Sequence, residues 1–338
     1  MSEPDSRLDI DCSTPIPKIQ RCLSIYLEDA NIALVTGDNV AFCVHRSVIR
    51  RLSVVISNML EVCNVSKNDG GQNLDEIETF ENLPVVRISD SSHVVFDFFQ
   101  MVYDQKPILS AVQDYERVAA LMIFCHKYMI DTTFERIISY LRYSFPDKLA
   151  DWKSSSQTDL LDSEEVIHIL LGATTANAKI LIPSCLYLVV SKSKPKAHLY
   201  KLPQPLLLQY CQGFSQLSLY HFDFYESILE DLVTPSMVCR EPKCNTQWNI
   251  FKKDIRSFFH NRGWISDPDP LLLLTRVYTN ARKDVGYCLG CQNAIDVLFE
   301  TALNELWDSL PHIFGIAKNW DTIRRETRFT DPSGFTLA

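Results

Sequence analysis

Four cysteines in the second half of the sequence have the residue type and spacing of metal ligands. Cys288 and Cys291 form a C-x-x-C pair, and the Leu-Gly between them supplies the turn that presents two thiolates to one metal. Cys239 and Cys244, spaced C-x4-C, can complete a tetrahedral site from a distant segment. However, the two pairs lie further apart than in the usual zinc ribbon, and reduced cysteine is often simply buried. The sequence therefore predicts no cofactor, with zinc held by these four cysteines as the alternative.

The other residues that could do chemistry lack the spacing of an active site. The sequence has no G-x-G-x-x-G, Walker, G-x-S-x-G or H-E-x-x-H motif. A redox C-x-x-C normally opens a helix beside a βαβ unit, and no such unit is recognisable here. His45 is of the right type for a general base, but a histidine that fixes a strand-to-helix corner is the more ordinary interpretation. We therefore predict a non-enzymatic protein with no catalytic residue.

Size and composition bound the remaining function classes. The chain has 338 residues, 46% of them hydrophobic and 22% charged, which suits two globular domains. Its formal net charge of −9 argues against bulk binding of nucleic acid. The polar N-terminus does not have the apolar core of a signal peptide, and no apolar run is long enough for a membrane span. We expect an intracellular protein, cytoplasmic or nuclear, with reduced thiols and neither a nucleic-acid nor a membrane partner.

The first half of the chain mixes strand and helix signals after a flexible tail at 1–19. Apolar runs on either side of the turn cluster Thr36–Asn39 predict a β-hairpin. The steps of three and four from Val48 to Leu60 predict a helix, and Ser89–Ser92 supplies capping oxygens for another that ends near Tyr103. Residues 64–82 read as an exposed acidic loop. The other predicted elements are a strand at 84–88 and helices at 112–128 and 132–143.

Beyond residue 145 only helical patterns remain, separated by polar or proline breaks, so this half is predicted to be a helical region without a regular repeat. The predicted helices lie at 163–178, 183–191, 205–214, 222–232, 248–261 and 292–310.

The segment that follows the hairpin resembles the "F-x-V-H-R-x-x-L … S … F-x-x-M-L" signature of BTB/POZ domains, and the next strand and helix resemble that family's "F … F-L … Y" region. The matching residues are Phe42, Val44, His45, Arg46, Ile49, Ser53, Ile56, Met59, Leu60, Pro84 to Ile88, Phe96, Phe99, Val102 and Tyr103. The resemblance implies an α+β fold, a small sheet flanked by helices, over residues 20–145.

Residues 146–338 are similar to the helical, cysteine-containing C-terminal extension of fungal (basidiomycete-type) BTB proteins. The shared pattern is a cysteine pair, a tryptophan, a C-x-x-C pair and a closing W-x-x-L-P-x-x-F. Here these are Cys239, Cys244, Trp248, Cys288, Cys291, Trp307, Leu310, Pro311 and Phe314.

The resemblance implies a protein-interaction scaffold that forms a homodimer through the BTB domain and recruits a further, unidentified protein. The alternative that it implies is a substrate adaptor of a cullin-RING ubiquitin ligase, with a cullin as partner. In the family's dimer groove an aspartate on the first strand lies near the arginine after the histidine. Asn31 takes that position here, with Asp29 two residues earlier on the same expected strand face. The implied interaction residues are Asp29, Asn31, His45, Arg46, Ile49, Leu52 and Ile56.

Overall fold

A computed structural model describes residues 18–65, 78–104, 114–154, 161–191, 199–230, 239, 241–261, 269–283 and 287–327. Residues 1–17 of the predicted tail and residues 66–77 of the predicted acidic loop lie outside these residues. The described ends of that loop differ from the prediction, because residues 64–65 end a helix and residues 79–80 form a strand. The described chain is α+β, as predicted, with a small mixed sheet and mostly helical content. It divides into two compact units. We call the described residues up to 104, together with 128–130, the sheet unit, and residues 114–127 and 131–327 the helical unit.

The sheet unit contains a five-stranded sheet in the order β1-β3-β2-β5-β4. The predicted hairpin is confirmed, because β2 and β3 are antiparallel with Ile32 opposite Val44. Strand β1 was not predicted; it forms one edge of the sheet and runs parallel to β3. The elements are β1 (Gln20–Tyr26), β2 (Ile32–Val35), β3 (Val40–Val44), α1 (Arg46–Leu52), α2 (Val54–Val65), β4 (Thr79–Phe80), β5 (Leu83–Arg87) and α3 (Ser92–Tyr103).

The hairpin turn is fastened to the start of α3. The Asp38 carboxylate accepts hydrogen bonds from the Ser92 backbone N–H at 2.9 Å and from its hydroxyl at 2.6 Å. Gly37 lies so close to the neighbouring backbone that an added Cβ would sit 2.8 Å from the carbonyl oxygen of Ser89. Because any side chain at position 37 would clash with this backbone, packing requires glycine in the Thr-Gly-Asp-Asn turn.

The helical face at 48–60 is divided between two helices, where the sequence pattern predicts one. Ser53, which is 1% exposed, separates them. Its Oγ accepts a hydrogen bond from the Ile56 N–H at 3.0 Å and donates one to the Tyr128 carbonyl at 2.5 Å. A serine that caps a helix in this way satisfies an amide that the helix cannot. The apolar spacing continues across the break, so periodicity alone does not reveal it.

Helix α3 carries the centre of the sheet unit's core. Val95, Phe98 and Phe99 are buried, whereas Val94 and Val102, which belong to the same apolar stripe, are only half-buried. The Phe99 ring lies 5.6 Å from that of Phe42 on β3 and 5.2 Å from that of Phe98, measured between centroids. The helix therefore covers one face of the sheet through its aromatic residues.

The helical unit is built of α4 (Tyr115–Lys127), α5 (Asp131–Ser144), α6 (Leu149–Ser154), α7 (Ser163–Thr175), α8 (Ile182–Ser191), α9 (Gln204–Glu230), α10 (Pro242–Asn261), α11 (Pro270–Lys283), α12 (Leu289–Ile313) and α13 (Trp320–Thr327). Helices α6, α11 and α13 were not predicted. The two helices predicted between 205 and 232 are one continuous helix, α9, because its polar middle contains no residue that breaks a helix.

Close packing of α4 against α7 joins the first helices of this unit. A Cβ added at Gly172 would lie 2.7 Å from the Cβ of Ala119, so the two small residues let the backbones approach. The sequence pattern placed α4 and α5 in the same domain as the sheet, whereas contacts group them with the later helices. The predicted boundary at residue 145 came from the resemblance to a family, whereas the two units are defined by contacts within this chain. The boundary therefore stays a prediction.

A buried carboxylate, Asp147, ties together the beginning and end of the helical unit. Its side chain is 2% exposed and accepts hydrogen bonds from Arg142 Nε at 2.9 Å and Arg324 Nε at 2.6 Å. Burial opposes ionisation of Asp147, but these two guanidinium groups outweigh it and hold the pKa of the carboxyl below its ordinary value. The ionised group therefore links α5 to α13.

Candidate metal centre

The side chains of Cys239, Cys244, Cys288 and Cys291 come together in the helical unit. Their four sulfur atoms all lie within 4.8 Å of one another, and the Sγ atoms of Cys239 and Cys288 are 3.4 Å apart. A tetrahedral zinc site with Zn–S bonds of about 2.3 Å has sulfur atoms about 3.8 Å apart. The cluster has the dimensions that such a site requires, and the structure joins the two cysteine pairs that are distant in sequence.

Two helix N-termini converge on the cluster. Cys244 lies in the first turn of α10, Cys288 is the N-cap residue of α12, and Cys291 follows in the first turn of that helix. The Glu241 N–H donates to Cys239 Sγ at 3.3 Å, and the Cys288 N–H donates to Cys244 Sγ at 3.2 Å. Backbone amides in the first turn of a helix and the positive end of the helix dipole both stabilise thiolates. The backbone therefore favours the ionised form of these cysteines, which is the form that binds a metal.

The thiols of the cluster differ in acidity. Hydrogen bonding from the Cys291 backbone and from neighbouring thiols lowers the pKa of Cys288 to about 7. Burial, reinforced by the adjacent sulfurs, raises the pKa of Cys291 well above its usual range. Cys288 thus ionises before Cys291, and a metal that bound all four sulfur atoms would displace the protons of the thiols that are not yet ionised.

Three other described cysteines are buried small apolar side chains and not candidate ligands. Cys43, Cys125 and Cys185 are all essentially inaccessible and lie in the cores of their units. Burial raises the pKa of both Cys125 and Cys185. These three behave as ordinary core residues, and the cluster of four is distinguished from them by the mutual approach of its sulfur atoms.

Of the seven expected interaction residues, Asp29 and His45 are hydrogen-bonded to each other through their side chains. Asp29 lies in the turn before β2, not on a strand face as expected, and its Oδ1 is 3.0 Å from His45 Nε2. The hydrogen bond from His45 lowers the pKa of Asp29. His45 is the N-cap residue of α1, and its backbone N–H donates to the Tyr103 hydroxyl at 3.2 Å. The pair therefore fastens the strand-to-helix corner.

Of the other five expected residues, two make hydrogen bonds that involve the backbone and three are buried or half-buried. Asn31 Oδ1 accepts the Arg46 N–H at 2.7 Å, and Arg46 Nη2 donates to the Leu60 carbonyl at 3.1 Å. Ile49 and Ile56 are each 1% exposed, and Leu52 is half-buried. The unit's own core therefore covers Ile49 and Ile56, and a role of the seven residues in binding a partner stays a prediction.

The sequence pattern missed the groups that support the cluster. Helix α10 begins at Pro242, six residues before the predicted start, and so places Cys244 in a first helical turn. A proline at the first helical position is a recognised start signal, so Glu241-Pro242 could have identified this helix end. The predicted start at Trp248 followed the apolar periodicity, which does not extend to the helix terminus.

Among the described helices, none combines the length and apolar character needed to cross a membrane. Comparison of the chain with models of known families, with curated proteins and with solved structures finds no match.

Proposed function

We propose that Cys239, Cys244, Cys288 and Cys291 bind one zinc ion as a structural site. The observation that carries this proposal is the mutual distance of at most 4.8 Å among the four sulfur atoms. Four thiolates complete a tetrahedral shell and leave no position for water or substrate, which is the arrangement of structural and not catalytic zinc. The ion would hold the N-termini of α10 and α12 together.

Metal analysis of protein purified without added metal tests this proposal. We expect about one zinc per chain, because a tetrathiolate site retains zinc through purification. Replacing Cys211, an exposed cysteine on α9, with serine is the matched control and should leave the zinc content unchanged. A content near zero in protein whose thiols are still reduced would contradict the proposal and leave four ordinary cysteines.

We further propose that the whole chain is a non-enzymatic interaction scaffold that self-associates through its sheet unit. Supporting it is the edge strand β1, on which Leu23 is 84% exposed and Tyr26 is 37% exposed. An edge strand with exposed apolar side chains is a template for pairing with another chain. The surface that we assign to self-association is thus β1, in place of the buried Ile49 and Ile56.

The full-length protein is expected to be a dimer by light scattering at micromolar concentration. Leu23→Lys should raise the dissociation constant at least about 100-fold, because a symmetric dimer loses about 1.5 kcal/mol or more of apolar burial from each copy. Leu208→Lys, at a residue 62% exposed on α9, is the control and should have no effect. A wild-type protein that remains monomeric when concentrated would contradict self-association.

The alternative role, an adaptor that binds a cullin, rests on the family resemblance. Co-purification with a cullin scaffold separates it from the simple scaffold. The acidic loop that would be the first place to look for a cullin contact lies largely outside the described residues.

A further inference from the structure

Solvent reaches the four cysteines of the cluster unequally. Cys244 and Cys291 are 2% and 3% exposed, whereas Cys239 and Cys288 are half-buried. Gly290 is exposed beside Cys288, and a Cβ added there would meet no atom within 4 Å other than Cys288 Sγ, at 3.9 Å. The missing side chain therefore leaves one side of Cys288 open. A small reagent in solution reaches one cysteine of each pair and not the other.

The two more exposed cysteines are also in direct contact through their sulfur atoms. Cys239 and Cys288 have their Sγ atoms 3.4 Å apart, so only a short movement separates them from the S–S bonding distance of about 2.05 Å. Cys239 precedes α10 and Cys288 precedes α12, so both belong to non-helical backbone at a helix end. Such positions accommodate a small shift at less cost than residues inside a helix.

We propose that Cys239 and Cys288 form an oxidation site through which hydrogen peroxide controls occupancy of the zinc site. This inference rests on the proposed zinc site and assigns its regulation. Cys288 is the sulfur that meets the oxidant, because Gly290 leaves it uncovered. Cys239 is the resolving sulfur, and the two buried cysteines are the ligands that survive as thiols.

The reaction balances with peroxide as the oxidant. The Cys288 sulfur attacks one peroxide oxygen, the O–O bond breaks, and a sulfenic acid and hydroxide form. The Cys239 sulfur then attacks the sulfenic sulfur, which forms the S–S bond and expels a second hydroxide. Two protons convert both hydroxides to water. The two thiolates together lose two electrons, and one hydrogen peroxide is reduced to two water molecules.

Loss of two of its four ligands releases the zinc ion, and Cys244 and Cys291 take up protons as it leaves. The disulfide nevertheless keeps the segment before α10 bonded to the start of α12. Oxidation therefore exchanges a metal link for a covalent link between the same two chain segments. A thiol reductant reverses the exchange and restores a site that can rebind zinc.

The test treats the full-length, zinc-loaded protein with one equivalent of peroxide. Zinc release is followed with a chromogenic chelator, free thiols are alkylated, and peptides are mapped by mass spectrometry. We expect release of about one zinc per chain, a Cys239–Cys288 disulfide, and alkylated Cys244 and Cys291. A reductant added with zinc should restore the starting metal content. Cys211→Ser, which removes an exposed cysteine outside the cluster, should give the same result.

The outcomes separate this inference from the zinc proposal. If the reduced protein contains about one zinc but peroxide links a different pair, or releases no zinc, the oxidation site is wrong and the metal site stands. If the reduced protein contains no zinc before peroxide is added, the metal site fails, and its regulation fails with it.

Discussion

A chelator, or replacement of Cys291 with serine, is expected to abolish the ordered N-termini of α10 and α12. Structural zinc contributes about 10–16 kcal/mol of apparent free energy in zinc-finger peptides, which is as large as the whole net stability of a typical domain. Hydrogen exchange at the amides of residues 241–250 and 288–295 measures the effect. We expect protection there to fall by orders of magnitude while the sheet unit remains protected.

The two ends of α12 should respond differently to loss of the metal. Its C-terminal half is anchored independently of the cluster, because Leu306, Trp307 and Leu310 are at most 1% exposed. Exchange should therefore rise steeply at the start of the helix and little at its end. Cys211→Ser is the matched control and should match the wild type. Equal protection along α12 with and without chelator would contradict a structural role for the metal.

Phe99→Ala is expected to destabilise the sheet unit by about 3–5 kcal/mol, the usual cost of truncating a fully buried aromatic residue. Phe99 is 0% exposed, and its ring lies 5.8 Å from that of Tyr103 and 5.6 Å from that of Phe42. The truncation would leave a cavity between α3 and the sheet. Denaturant unfolding followed by hydrogen exchange in β2 and β3 measures the loss within this unit.

Val54→Ala is the control for this prediction. Val54 begins α2 and is 63% exposed, so its truncation should change the free energy of unfolding by less than about 0.5 kcal/mol. If both variants unfold at the same denaturant concentration, Phe99 does not carry the core of the unit. The assigned packing of α3 on the sheet would then be wrong.

Local signals predicted the hairpin and α3 because turn residues, capping residues and apolar spacing all lie within a few positions of one another. They did not predict β1, whose residues are mostly exposed and which pairs, among the described strands, with β3 alone. They also missed the break at Ser53, which depends on a hydrogen bond to Tyr128, distant in the sequence. Both features depend on tertiary contacts, which local signals do not contain.

The candidate metal site shows the same division. The C-x-x-C spacing and the second cysteine pair were visible in the sequence, but nothing local required the two pairs to meet. The approach of Cys239 to Cys288 is set by the folding of α10 and α12. The motif likewise gave residue types without showing that Ile49 and Ile56 face the interior of the sheet unit, which the fold decides.

The ion pairs of Asp147 have a consequence for folding during synthesis. Arg324 follows Asp147 by 177 positions and donates to its carboxylate at 2.6 Å, so the second cation emerges from the ribosome long after the buried anion. Until then, burying the carboxylate is opposed by the lost hydration of a charge with only Arg142 beside it. The sheet unit has all of its described residues by position 130. We infer an order in which the sheet unit closes on the nascent chain, and the helical unit closes only when α13 has been released.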